Sequence, residues 1–137
     1  MRAENKQILL IEDNLDWRQV ATSALEAAGY KVIAVSGAAE ALLQGDELQL
    51  ALLILDLDLG GENGLMLMKH LKRHHPTVPI LICTGMDPVE PAVQRMRAMG
   101  ADDFLRKGTM SELINAVNLA VSRTHREAHP ASSPPHS

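Results

Sequence analysis

LLILDLDLGGENG, residues 52–64, decides the fold. Leu52, Leu53, Ile54 and Leu55 follow one another without a polar residue and run straight into Asp56. A strand with one wet face alternates apolar and polar side chains. An unbroken run is the pattern of a strand covered on both faces, which is how parallel strands are buried in α/β proteins. Asp58 follows two positions after Asp56, and a glycine-rich turn closes the segment at Gly64.

Apolar runs of strand length recur on either side of this one. With the central strand taken as LALLIL (50–55), the set is QILLI (7–11), KVIAV (31–35), LALLIL, PILIC (79–83) and DFLR (103–106). The intervening stretches have helical periodicity. In the first, Val20, Ala21, Ala24, Leu25 and Ala28 share a face and Gly29 stops the helix. A short second helix over 37–45 ends at Gly45, a third runs from Leu65 to His74 before Pro76, and a fourth runs from Pro88 to Met99 and stops at Gly100. The fifth opens with TMSE, in which Thr109 and Glu112 have capping-box spacing, and continues through Leu113, Ile114, Val117 and Val121. The expected fold is α/β: (βα)5, an open, doubly wound parallel five-stranded sheet with helices on both faces. One domain covers residues 1–126, and a Pro/Ser-rich tail, expected to be disordered, covers 127–137.

Composition narrows the function. The 137 residues carry a formal charge of −4 and are 46% hydrophobic, which reads as one soluble globular domain. Mild acidity and the absence of a long basic run argue against direct nucleic-acid binding, and Trp17, Tyr30 and Phe104 are the only aromatics available to stack on bases. The single cysteine, Cys83, excludes an internal disulfide, fits a reducing compartment and lies in an apolar run as a core residue. The N-terminal segment reaches Glu12 and Asp13 after only four apolar residues, which is too short for a signal-peptide core. No apolar run approaches the roughly 18 residues that suggest a membrane span. A cytoplasmic location is expected, with no membrane partner.

In open α/β sheets, ligands bind beyond the carboxyl ends of the strands. There the first strand ends in Glu12 and Asp13, the third in Asp56, the fourth in Thr84 and the fifth in Lys107. Three carboxylates in one cleft repel one another unless a cation shares the site. Oxygen ligands without nearby His or Cys suit Mg²⁺. A carboxylate beside that ion can attack a phosphoryl group, while an ammonium and a hydroxyl take the remaining phosphoryl oxygens. One acid at a strand end is ordinarily a solvated loop residue. Placement of such groups at four of five strand ends is what points to phosphoryl chemistry.

These motifs resemble the receiver domain of bacterial two-component response regulators, over about Gln7 to Val121. LLIEDN is similar to the family's first strand, LILDLDLGGENG to its phosphoacceptor segment, LICTG to its fourth strand and GADDFLRKG to its fifth. The resemblance implies strand order 2-1-3-4-5, with Asp56 as phosphoacceptor and Mg²⁺ held by Glu12, Asp13, Asp56 and the Asp58 backbone carbonyl. It makes Lys107 the phosphate-binding lysine, Thr84 the phosphate-sensing hydroxyl and Phe104 the switch aromatic. It further implies a sensor histidine kinase or histidine phosphotransfer protein as donor and a downstream effector protein. Homodimerisation on phosphorylation stays open. No enzymatic turnover is implied beyond self-phosphorylation from small phosphodonors and autodephosphorylation.

Two departures stand out. Gly60 occupies a position where most receivers have proline, and Gly108 follows Lys107 where most have a proline, commonly cis. A non-proline cis bond costs roughly 2.5–4 kcal/mol, so a trans bond is expected there. The Asp58 side chain is expected near solvent, where it could tune the lifetime of an acyl phosphate. An alternative is a pseudo-receiver that binds partners without phosphate. Another is a phosphatase of the haloacid-dehalogenase type, whose DxD signature LILDLDLG also resembles. Gly60 and the upstream acid pair fit that signature poorly. His70, His74 and His75 read as the solvated end of a helix, and Met66, Met68, Met86, Met96 and Met99 as core filler or an adaptable surface.

Overall fold

Every apolar run forms a strand, and every helical pattern forms a helix. The computed structural model describes residues 6–44, 49–59, 62–85 and 90–128. In chain order the elements are β1 (Gln7–Ile11), α1 (Leu15–Ala27), β2 (Lys31–Val35), α2 (Ala38–Leu42), β3 (Leu52–Asp56), β4 (Asp58–Leu59), β5 (Glu62–Asn63), α3 (Gly64–His74), β6 (Ile80–Thr84), α4 (Glu90–Ala98), β7 (Asp103–Arg106) and α5 (Met110–Ala128). The main sheet has order β2-β1-β3-β6-β7 with all pairings parallel, which is the 2-1-3-4-5 order of a flavodoxin-like fold. A two-stranded antiparallel ribbon, β4-β5, follows β3.

Strand alternation divides the core in two. Leu9, Ile11, Leu53, Leu55, Ile80 and Ile82 meet Ala41, Leu67, Met68, Leu71 and Met96 from α2, α3 and α4. Ile8, Leu10, Leu52, Ile54, Leu81 and Cys83 meet Ala21, Leu25, Leu113, Val117 and Ala120 from α1 and α5. Successive side chains of a strand point to opposite faces, so a continuous apolar run supplies both cores at once.

Several boundaries differ from expectation. β3 and β6 begin and end later than their apolar runs, so Asp56 and Thr84 are themselves the last residues of their strands. Pro79 has no N–H to donate; it only accepts from the Leu53 N–H at 3.0 Å, and β6 starts after it. Val20, expected on the inner face of α1, is 51% exposed, while Trp17 packs inward beside Ala21 and Leu25. α4 is described only from Glu90, and the proposed start at Pro88 lies outside the described residues, as do Gly45, Gly60 and Met86. α5 continues to Ala128, past the expected boundary at Glu127, and 129–137 lie outside the described residues.

The predicted stops at Gly29 and Gly100 and the predicted cap at Thr109 are in place, whereas α2 ends at Leu42, short of the expected stop at Gly45, which lies outside the described residues. Gly29 and Gly100 adopt φ of 102° and 121°. At each, the following residue's N–H returns to a carbonyl of the last turn, Tyr30 to Leu25 at 3.1 Å and Ala101 to Met96 at 3.0 Å. Thr109 and Glu112 form a reciprocal box, each backbone N–H bound by the other's side-chain oxygen at 3.1 Å. Among the described residues no helix is long and apolar enough to cross a membrane.

Candidate functional site

The sheet ladder extends one step beyond the strands and fixes the backbone of the polar residues. The Glu12 N–H donates to the Val35 carbonyl at 3.0 Å, Leu57 to Cys83 at 3.2 Å and Lys107 to Thr84 at 2.7 Å. Alternation then sorts the side chains. Glu12 follows Ile8 and Leu10 by steps of two, and Asp56 follows Leu52 and Ile54, so both face the α1/α5 side. Thr84 shares the parity of Ile80 and Ile82, and Phe104 packs against that same opposite cluster.

Glu12 and Asp56 are 1% and 2% exposed, whereas Asp13 is exposed. One oxygen from each of Glu12, Asp13 and Asp56 lies within 4.8 Å of the others, a group that could hold a metal ion. Lys107 enters from the edge strand, its Nζ 2.7 Å from Glu12 Oε1 and 3.5 Å from Asp56 Oδ2. Burial alone favours the neutral amine of Lys107. The hydrogen bond it donates to Glu12 and the charges of Asp56 and Glu12 outweigh it and hold the ammonium above the ordinary lysine value. Three negative groups thus face one positive group, and the donor set is oxygen alone, which fits a hard divalent cation.

The segment after β1 is braced. Asn14 caps α1 through Oδ1, which accepts the Trp17 N–H at 2.8 Å, and its own N–H donates to Glu12 Oε2 at 3.0 Å. Arg18 Nη1 donates to the Glu12 carbonyl at 2.8 Å. Trp17 lies against Lys107, its ring centroid 4.9 Å from Nζ. Beneath the site, burial pushes the Cys83 thiol up to about 12, a shift Lys107 opposes and Glu12 and Asp56 reinforce.

Glu12, Asp13, Asp56 and Lys107 therefore converge as expected. Thr84 lies on the same edge, half-buried, in the register step after the Asp56–Cys83 pair. Asp58 opens β4 opposite Asn63, and its side chain lies outside the described residues. The Lys107–Gly108 peptide is trans, as expected; no described peptide is cis. A Cβ at Gly108 would stand 2.3 Å from Glu112 Oε1, so glycine leaves room for the α5 capping box. Of the histidines, His74 is exposed and His70 half-buried, but His75 is buried at 6%, which corrects its reading as part of a solvated helix end. Met68 and Met96 are core residues and Met66 is exposed. Trp17 is the site residue sequence reasoning missed. The signal was an aromatic in the first turn after an acid pair, but its partner lies on a distant strand.

A family profile described as the response regulator receiver domain matches residues 8–118. The chain belongs to this receiver-domain family. It is 26% identical over 125 residues to the transcriptional regulatory protein ZraR of Escherichia coli (strain K12), covering 91% of this chain and 28% of that protein. It is 34% identical over 120 residues to the E. coli (strain K12) transcriptional regulatory protein HprR, covering 87% and 53%. The receiver thus spans about half or less of these relatives. A Burkholderia pseudomallei response regulator, solved with a phosphorylated aspartic acid, a calcium ion and citrate, superposes with a TM-score of 0.75 at 26% identity, covering 93% of this chain and 75% of that one.

Proposed function

We propose that this receiver accepts a phosphoryl group on Asp56 and converts its arrival into a change of protein-interaction surface. The carrying observation is the buried Asp56 carboxylate grouped with Glu12 and Asp13 and faced by Lys107. An Asp56 oxygen attacks the phosphorus of a phosphohistidine or small phosphodonor. The bond from phosphorus to the donor atom breaks, the donor leaves with that electron pair, and Asp56 carries an acyl phosphate. Lys107 passes to a phosphoryl oxygen as a charge-assisted partner, and the Thr84 hydroxyl takes another. Glu12, Asp13, Asp56 and the Asp58 carbonyl would hold Mg²⁺, which supplies neutralisation of phosphoryl charge. Phe104 follows Thr84, so α4, β7 and α5 form the face that changes. The donor in this reading is a histidine kinase or phosphotransfer protein, and the readout passes to an effector.

The phosphorylated aspartate of the B. pseudomallei relative supports this reading. Intact-mass spectrometry after incubation with Mg²⁺ and acetyl phosphate tests it. The expected result is a single phosphoryl adduct in wild type and none in Asp56→Asn or with chelator. A folded, unlabelled wild type would instead indicate a phosphate-independent interaction module. Rapid consumption of donor with turnover would indicate a phosphatase.

A further inference from the structure

The lysine that faces the two buried acids is also held from the outside. Lys107 Nζ has Glu12 Oε1 at 2.7 Å, Asp56 Oδ2 at 3.5 Å and the Trp17 ring centroid at 4.9 Å. Trp17 is the single tryptophan of the chain. Its half-buried side chain packs on the core beneath α1 and α5, and its N–H is fixed by Asn14, whose own N–H is bound to Glu12. One short braced segment, Glu12 to Trp17, therefore presents to the same ammonium a carboxylate and an aromatic face.

We propose that Trp17 is a positioning residue for Lys107, its indole face keeping the ammonium over the acids and ready to pass from Glu12 to a phosphoryl oxygen on Asp56. This rests on the reading of Asp56 as phosphoacceptor. A lysine head is a strongly hydrated point charge on a flexible four-carbon stem. With its side chain 18% exposed at the sheet edge, it has a route to solvent once Glu12 lets it go. A plain apolar wall would desolvate the charge without compensation. A further carboxylate would hold it back from phosphate. The indole quadrupole attracts the cation without demanding one N–H direction, so the lysine can be redirected while staying covered. Trp17 touches no reacting atom, and its effect passes through Lys107.

The test compares wild type with Trp17→Phe, which keeps an aromatic face, and Trp17→Leu, which does not; Trp17→Met replaces the latter if it fails to fold by circular dichroism. In wild type the Lys107 Hε protons should show an upfield ring-current shift by NMR, lost in Trp17→Leu and retained in part in Trp17→Phe. At saturating Mg²⁺, phosphorylation from acetyl phosphate should slow on the order of fivefold in Trp17→Leu, the range of a partly desolvated cation–π contact, and stay near wild type in Trp17→Phe. An unshifted wild-type Lys107, equal slowing in both variants, or a wild-type rate in Trp17→Leu would each overturn the positioning role while leaving Asp56 phosphorylation standing. A wild type that takes no phosphoryl group would overturn the phosphoacceptor reading and the positioning role with it.

Discussion

β3 and β7 each carry one charged group to the same site, Asp56 and Lys107, and they hold it by different means. β3 pairs on both sides, and all five of its residues are buried between the two cores. Among the described residues β7 pairs only with β6, and its residues are half-buried or exposed. Asp103, its first residue, pairs with Arg123 of α5, which puts charge on the edge strand. The carboxylate is therefore fixed by packing, which has few alternatives. The lysine and Phe104 are held by two ion pairs and two ring contacts, which can be exchanged one at a time. Under the function proposed above, a nucleophile that must not move and a responder that must would be served by the centre and the edge of one sheet.

Core truncation sharpens this contrast most. Ile54→Ala in β3 should cost about 2–5 kcal/mol in urea unfolding, because a fully buried side chain leaves a cavity between rigid neighbours. Leu105→Ala in β7, only partly buried, should cost roughly 1–2 kcal/mol. Equal losses would mean that the edge strand is packed as firmly as the centre.

The next effect is read in alkali. Cys83 on β6 is held protonated to about 12, so between an ordinary thiol value near 9 and that point the folded chain binds a proton that the unfolded chain has released. Stability is complete below that window and falls as pH rises, by about 1.4 kcal/mol per pH unit for one group. Tyr30 and Lys107, both raised, act in the same direction, so the difference in slope between wild type and Cys83→Ala isolates the thiol. Parallel slopes would show that the β3–β6 centre does not shield Cys83.

The strands and the stops at Gly29 and Gly100 were legible because continuous apolar runs and positive-φ positions are local properties of sequence. The acids and the lysine were legible because parallel strands bring their carboxyl ends to one edge. Val20 was misplaced because a helix with small apolar residues on two sides has no unique inner face, and the larger Trp17 sets the rotation. The β4-β5 ribbon went unread although Gly60-Gly61 between Leu59 and Glu62 is a hairpin signal, since two-residue strands leave no periodicity to count. His75 was misread because its burial comes from packing at the end of α3, which its polar neighbours in sequence do not show.

The start of α5 follows β7 after three residues, Lys107 to Thr109, and its cap is a smaller effect. Thr109→Ala should destabilise by about 1 kcal/mol, leaving the Glu112 N–H without its side-chain acceptor. Gly108→Ala should lose the other half of the box, since its Cβ displaces the Glu112 carboxylate from the Thr109 N–H. If thermal melts of the two variants differ from wild type by nothing measurable, the junction after Lys107 is held by tertiary packing instead.

The smallest expected effect concerns what keeps Phe104 in place. The Arg97 guanidinium lies 5.0 Å from the Phe104 ring centroid, and its Nη1 donates to the Asp102 carbonyl at 3.0 Å, so one exposed side chain ties α4 to β7. A contact of this kind is worth about 0.5–1 kcal/mol, enough to shift a two-state population roughly two- to fivefold. If Phe104 turns inward when Thr84 engages phosphate, it must leave Arg97, and the contact stabilises the resting state alone. Arg97→Ala should then raise the inward population in the unphosphorylated protein, read as movement of the Phe104 ring resonances toward those seen with beryllofluoride. Arg97→Lys, which keeps the charge but loses the planar face, should fall between. An unchanged population would mean that the Arg97 contact survives the switch, and that the mobility of this edge comes from the strand's sparse packing rather than from contacts it can release.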